Sequence, residues 1–422
     1  MRILELNDVG LRLYEGEQLL LESPGCAALD GRRLLTGRDA QARLRLDPRR
    51  AYDRYWYQLD ASLPTPLGAA RSAADLAHAQ LLELGSALTE QPLVLAAPAS
   101  FTPSQLGVLL GILQALQVRA VGLVDAAVAA ASTLGTAPRS VHVDVQRHRV
   151  LLTWLDGDRD LTRTRLQELK PGLAALQDRC AAVVAEAFVR TARFDPLHSA
   201  ATEQALYDRL PQWMAQLSGE SQAVLELDAG TRTHRAGLTR EALASTLSDR
   251  VAAIVDAVSG AIAGEPASIL LSDRAAELPG LASQLPQAQR LDAGAVARGI
   301  AEHLALIETD STELPWVTRL PRRALHAQSA SGEHSLVPTH ALLGYRALPL
   351  PADGRVQALS AWLPGAPGLL RGDGNALQIE DAGGSTVRLN GEALAGTRPL
   401  RAGDRLSHGG SELRLIVVAR AD

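Results

Sequence analysis

"SVHVDVQRHRVLLTWL", Ser140 to Leu155, places two alternating apolar runs on either side of a four-residue polar turn. Such alternation reads as a β-hairpin. Asp144 sits at the end of the first run, and the turn, Gln146-Arg147-His148, carries no glycine. The N-terminus repeats the arrangement. "MRILELNDVGLRLYEGEQLLLES" reads as two or three short strands joined at Gly10 and Gly16, with Asp8 before the first turn. "GCAALDGRRLLTG" adds a hairpin around Asp30-Gly31.

Each hairpin start is followed by helices and buried strands. After the first come a polar helix from near Arg38 that ends before Asp47-Pro48, a helix over 69–88 and the strand "PLVLAAP". Thr102-Pro103-Ser104-Gln105 then opens a helix, with a capping hydroxyl, a proline in the first turn and a reciprocal glutamine. It runs to Leu116 and is followed by the strand "VRAVGLV" and an alanine-rich helix. After the second hairpin come helices over 171–191 and 200–217, the strand "AVLELDA", a helix capped by Thr239, the buried strand "SILLS", and helices in "LPGLASQL" and "AGAVARGIAEHLALI". The order predicts an α/β fold of two duplicated lobes with a cleft between them. Lobe I covers about 1–138 plus the terminal helix, and lobe II about 139–290.

Residues 308–340 are rich in Ser, Pro, His and Arg and read as a linker, with one strand at Trp316 to Leu320. Residues 341–422 read as strands only. Their turns are Asp381-Ala-Gly-Gly, Asn390-Gly391 and Ala402-Gly403-Asp404, and Asn-Gly between alternating runs is a strong hairpin signal. A small β-sandwich or barrel follows.

Composition narrows the function classes. The 422 residues are long enough for two or three cored domains. With 46% hydrophobic and 21% charged residues the chain is globular in type, and its net charge of -5 offers no field for nucleic acid or an anionic membrane. Lys170 is the only lysine. Cys26 and Cys180 match no metal spacing and read as buried free thiols of a reducing compartment. Glu5 and Asp8 interrupt the first apolar run, so it does not read as a signal peptide. The most apolar stretch, 120–134, is too short for a bilayer, and the expected location is cytoplasmic. The dispersed histidines, including His142 and His148, lack the spacing of a metal site. No Gly-x-Ser-x-Gly elbow or dinucleotide-binding glycine motif is present.

Over residues 1–307 the chain resembles the actin and seventy-kilodalton heat-shock chaperone (DnaK-type) ATPase superfamily. "LNDVG" stands at that family's first phosphate loop and "SVHVDV" at its second. "LVLAAPASFTPSQLGVLLGILQALQVRAVGLVDAAVAAA" matches its connecting region, and "LTREAL" with "SILLSDRAAELPGL" matches its late helix and adenosine-site turn. The resemblance implies a nucleotide cleft lined by Asp8, Gly10, Arg12, Asp125, Asp144, Arg147, Asp273 and Arg274.

In such a cleft, backbone amides approach the phosphates where glycine permits it, and carboxylates hold magnesium. Here Leu11-Arg12 replace small hydroxyl residues, Gln146-Arg147-His148 replace glycines, and Ser272-Asp273-Arg274 replace a Gly-Gly pair. The family's lysine segment aligns near Asp53 to Tyr57, which has no lysine. The resemblance with these departures implies a pseudo-ATPase acting as a protein-interaction scaffold, with no catalytic residue, no bound metal and no cofactor. The alternative is an ATP/Mg binder with slow hydrolysis. Three readings of Arg12 and Arg147 stay open: bridges to the cleft carboxylates, each gaining roughly 4 kcal/mol of Coulomb energy at about 4 Å before desolvation; solvent-facing turn residues; or a direct phosphate clamp.

The tail similarly resembles the second half of a forkhead-associated domain in "VRLNGEALAGTRPLRAGDRLSHGGSELRLIVV". That family's Gly-Arg and Ser-x-x-His phosphothreonine elements have no counterpart here beyond "GLLRGDG". The resemblance implies a protein partner at this domain, and the phosphopeptide-reading adaptor is a third functional class.

Overall fold

The protein is mixed α/β. The structure, a computed structural model, describes residues 1–134, 137–261, 267–311, 313–322, 338–343, 346–351, 355–372, 377–380, 386–394 and 396–416. The chain divides into two compact units, Met1–His326 and Ala327–Asp422.

Two six-stranded sheets organise the first unit. The first contains β1 (Arg2–Glu5), β2 (Leu11–Glu15), β3 (Gln18–Ser23), β4 (Leu93–Ala97) and β5 (Ala120–Asp125). The second contains β6 (Arg139–Val145), β7 (Val150–Asp156), β8 (Asp160–Leu169), β9 (Ala267–Leu271) and β10 (Gln289–Arg290). Two late strands, β11 (Trp316–Val317) and β12 (Arg319–Pro321), add one edge to each sheet. The spatial orders are β3-β2-β1-β4-β5-β11 and β12-β8-β7-β6-β9-β10. In both, an antiparallel meander of three strands is extended by two strands parallel to its first member. The same strand order has been built twice.

The quoted stretch is the centre of the second sheet, with Val145 opposite Val150 and Asp144 opposite Leu151. β8 extends this hairpin into a meander and has no counterpart among the expected strands. Residues 308–322, expected as linker with one strand at Trp316 to Leu320, carry two, β11 and β12; Leu320 is fully buried, and the Thr309 amide donates to the Val121 carbonyl. Residues 323–337 of that expected linker lie outside the described residues.

Local chemistry sets the helix starts. The Thr102–Gln105 capping box forms reciprocally at 3.2 and 3.1 Å and opens the helix Pro103–Ala115. Thr239 caps Arg240–Thr246. The expected helix over 69–88 is shorter. Ala70–Ser72 pairs as a strand with Ser62–Leu67, and the helix Ala73–Leu84 starts at a capping box of Ser72 and Asp75.

Each lobe has its own core. Leu13, Leu95, Leu76 and Tyr55 belong to the first, and Val143, Leu152, Phe188 and Leu225 to the second. A third cluster joins the sheets, with Ile3 and Val94 from one side and Leu155 and Leu270 from the other. Two short helices cross there, Ala126–Ser132 and Ala295–Glu302. Their approach needs small residues: a Cβ on Gly299 would lie 1.9 Å from the Ala129 carbonyl oxygen.

The second unit stacks a six-stranded against a four-stranded antiparallel sheet around Leu370, Ile379, Leu406 and Leu413. Asn390 and Gly391 both have positive φ (52° and 88°) and join Arg388–Leu389 to Glu392–Ala393, as an Asn-Gly hairpin requires. The expected turn at 381–384 lies outside the described residues, as does the end of "GLLRGDG". No helix among the described residues is long and apolar enough to cross a membrane.

Gly299→Ala is expected to push the crossing helices apart and lower stability by about 1–3 kcal/mol, read as a lower urea midpoint. An unchanged midpoint would refute the close crossing.

Candidate functional site: an inter-lobe arginine latch

The turn between β1 and β2 and the turn between β6 and β7 face each other across the lobe junction. In a phosphate site their amides would point at a ligand. Here they point at protein. Val9 N–H donates to Asn7 Oδ1 and Gly10 N–H to the Asn7 carbonyl. Gln146 N–H donates to the Arg149 carbonyl, closing the hairpin turn, and Arg147 N–H donates to Asp8 Oδ1 at 2.6 Å. The first amides of the helix Leu173–Ala192 are engaged too, since Leu173 and Ala174 N–H donate to the Gln146 and Arg147 carbonyls. Gly172 allows this contact, because a Cβ there would lie 2.1 Å from the Arg149 nitrogen.

Arginines fill the space around these loops. Arg12, inward on β2, gives Nη2 to Asp273 Oδ2 at 2.6 Å and Nε to Glu22 Oε1 at 3.1 Å. Arg274, in the turn after β9, gives Nη2 to the Gly10 carbonyl at 2.7 Å and to Glu22 Oε1 at 3.1 Å, and Nη1 to Glu5 Oε1 at 3.2 Å. Both guanidinium groups therefore bond across the lobes. Gly10 is required beside them, as its Cβ would meet Glu22 Oε1 at 2.6 Å.

Arg147 forms a second bridge, with Nε 2.7 Å from Asp53 Oδ2, while His148 Nε2 lies 2.9 Å from the Asp53 carbonyl. Against the upward push of burial, hydrogen bonding from His148 and the Arg147 charge hold the Asp53 carboxyl well below the usual carboxylate range. A third bridge joins Arg163 Nη1 to Asp125 Oδ2 at 2.6 Å. Asp125 Oδ1 meanwhile caps the helix Ala126–Ser132 through the Ala127 and Val128 amides.

Seven of the eight candidate residues are thus held in two bridges and the loops between them: Asp8, Gly10, Arg12, Asp144, Arg147, Asp273 and Arg274. Asp125 stands apart in the third. Arg12 and Arg147 are 7% and 8% exposed, so they do not point to solvent from their turns. Arg12 bridges Asp273, one of the cleft carboxylates, and Glu22, whereas Arg147 bridges Asp53, outside that set; neither side chain bonds Asp8 or Asp144. The physical reason is register: on β2, Arg12 faces β3 and the turn after β9 rather than the hairpin opposite.

Asp8 and Asp144 are accommodated otherwise. Asp144 Oδ2 accepts from Asn7 Nδ2 at 3.0 Å. Burial pushes the Asp144 carboxyl up to about 6, opposed by the Arg274 charge, and raises Asp8 as well, opposed by the Arg147 amide. The neighbouring His142 is pushed down to about 4 by burial and stays neutral near pH 7. Among the described residues no group of three or more His, Cys, Asp or Glu is arranged to hold a metal ion.

Two small cavities lie against the facing turns, apart from one of about 320 Å³ beside Asp53, Arg147 and His148. One of about 10 Å³ touches Asp8 and Gln146, and one of about 30 Å³ touches Asp144, His142 and Asp273. Neither has room for a phosphate. A larger one, about 540 Å³, opens beyond the latch between Val9 and Arg12 on one lobe and Met214 and Leu278 on the other.

Glu5, Glu22, Asp53 and Arg163 complete the bridges and were not among the candidates. Glu5 carried a signal: a carboxylate inside "RILEL" is buried only at a cost unless a cation meets it. Glu22, directly after Leu19-Leu20-Leu21, carried the same signal, and Asp53 stood in the segment aligned with the family's lysine; Arg163, between Thr162 and Thr164, carried none.

No protein-family model matches this chain, and no curated protein matches its sequence.

The side chains of Arg274 and Glu5 are only 6% and 9% exposed. Arg274→Met is therefore expected to lower unfolding free energy by about 3–5 kcal/mol in urea, with much of the loss recovered in Arg274→Met/Glu5→Met. A single-variant loss below about 0.5 kcal/mol would contradict the pairing. Asp144 contributes one separable part of the pH dependence. A carboxyl raised from an unfolded value of roughly 3.9 binds its proton more tightly when folded, so its cost is absent below about pH 4, grows as pH rises, and is complete above about 6. Asp144→Asn should match the parent at pH 4 and exceed it by on the order of 3 kcal/mol at pH 7. A difference independent of pH would reject this assignment.

Proposed function

We propose that residues 1–322 have the duplicated actin/DnaK-type ATPase fold and that the chain is a pseudo-ATPase, its nucleotide cleft converted into a fixed inter-lobe latch. On this reading it acts as a protein-interaction scaffold. The rigid first unit and the β-rich second unit, read as forkhead-associated-like, present surfaces to protein partners rather than to nucleic acid. The repeated strand order and the crossing pair of small-residue helices support the fold.

One observation carries the functional reading: the amides of Val9, Gly10, Gln146 and Arg147 are all bonded within the protein. A triphosphate would have to displace those bonds and also expel the Arg12 and Arg274 side chains from their carboxylates. Nothing in a nucleotide compensates Glu5, Glu22 and Asp273 once their cations have moved, because it brings further negative charge.

The retained Asp8 and Asp144 and the larger cavity favour a second reading, an ATP/Mg binder with slow hydrolysis. Thermal unfolding with and without 5 mM Mg-ATP separates the two. The scaffold reading expects no change in midpoint. A ligand at about a hundred times its dissociation constant would add roughly 2.7 kcal/mol and raise the midpoint clearly, and a rise lost in Asp144→Ala would establish the second reading.

A further inference from the structure

The latch closes the phosphate end of the cleft but leaves the 540 Å³ cavity beside it, a size within the roughly 300–1,000 Å³ of small-molecule sites. Its walls differ in chemistry. Val9, Pro24, Leu173, Met214 and Leu278 supply apolar surface, whereas Arg12, Arg38, Arg147 and Arg274 line it together with Glu22 and Glu277; Asp273, Asp53 and Glu5, behind the wall, pair with Arg12, Arg147 and Arg274 in turn and leave Arg38 as the cation without a carboxylate partner among the described residues.

The cations differ in how far the protein satisfies them. Arg147 gives Nε to Asp53, and its two terminal nitrogens make no hydrogen bond to a described residue. Arg12 similarly leaves Nη1 without one. Arg38 makes a single 3.3 Å bond to the Glu22 carbonyl and is otherwise exposed. Of the acids, Glu22 is already shared between Arg12 and Arg274, while burial and the Asp273 charge raise the Glu277 carboxyl.

We propose that this cavity binds a small organic anion with an apolar body, its anionic group on the free guanidinium edges of Arg147, Arg12 and Arg38 and its body against Met214 and Leu278. No metal is needed, because the arginines supply the countercharge and a planar hydrogen-bonding edge. The site deepens the scaffold reading, from which it takes only that the phosphate end is shut. A ligand there would touch both lobes and would tune the scaffold's rigidity by binding the closed form.

The test is isothermal titration of the full chain with 8-anilinonaphthalene-1-sulfonate, an aromatic anion, alongside N-phenyl-1-naphthylamine, the same body without the sulfonate. One saturable site is expected for the anion, with the neutral compound at least about tenfold weaker, the value of one charge-assisted hydrogen bond. Arg38→Glu should weaken the anion by about tenfold or more, and Ala215→Trp, which fills the cavity from an exposed helix position, should abolish binding while leaving the melting midpoint of the free protein unchanged. Equal affinity for the neutral compound, or binding untouched by Ala215→Trp, would overturn the proposal and leave the scaffold reading standing. Displacement of the anion by Mg-ATP, lost in Arg38→Glu, would overturn the scaffold reading and leave an anion site in this cavity.

Discussion

A guanidinium group withdrawn from water must find carboxylates or carbonyls, and Arg12 and Arg274 find theirs on opposite lobes. That single requirement organises the junction. Desolvating these ions costs several kcal/mol each, and the cost is offset only while Asp273 stays against β2 and while Glu5, Glu22 and the Gly10 carbonyl stay against the turn after β9. Opening the lobes would strand the ions on both sides. The two sheets, the crossing helices and the loop amides are thereby held in one arrangement. Arg147 with Asp53, and Arg163 with Asp125, repeat the device at other points along the same seam. Farther out, Arg45 adds to it, reaching Asp178 and stacking 3.7 Å above the Tyr207 ring.

The same seam explains why glycines are dispensable in the loops. Glycine is needed where main chain must approach a ligand closely. Once the approaching group is another part of the protein, an ordinary residue can stand in the turn, provided its side chain has somewhere to go. Arg147 goes to Asp53, and Arg149 goes to Glu168 at 2.8 Å and over the Tyr57 ring at 4.7 Å. Glycine stands where an added Cβ would collide with a neighbouring segment: Gly10 beneath Glu22, Gly172 against the hairpin turn, and Gly299 on Ala129.

Much of the architecture was legible in the chain. Alternating runs around "DVQRHR" and "LNDVG" mark both meanders, and the Thr102 and Thr239 caps mark helix starts. β8 was not legible: "DLTRTRLQEL" offers Leu161 as its only fully buried residue, and Thr162 and Thr164 fall on one face while Arg163 and Arg165 fall on the other, so no apolar period distinguishes it from a loop. The strand expected at Trp316 to Leu320 was legible in place but not in its division: it is two strands of two and three residues that join different sheets, and nothing in so short a run marks which sheet each half pairs with. At the site, the positions of Arg12, Arg147 and Arg274 could be read from what they replace, but not their partners. Arg12 and Asp273 are 261 positions apart, and no local pattern links residues that meet only after both lobes have folded.

Amide hydrogen exchange at the two facing turns tests the central claim most directly. If the Val9, Gly10, Gln146 and Arg147 amides are engaged as described, segments covering 5–12 and 143–149 exchange slowly in the free protein and at the same rate with excess Mg-ATP. Rapid exchange in the free protein that becomes slow on adding Mg-ATP would show loops waiting for phosphate, and would contradict a latched cleft.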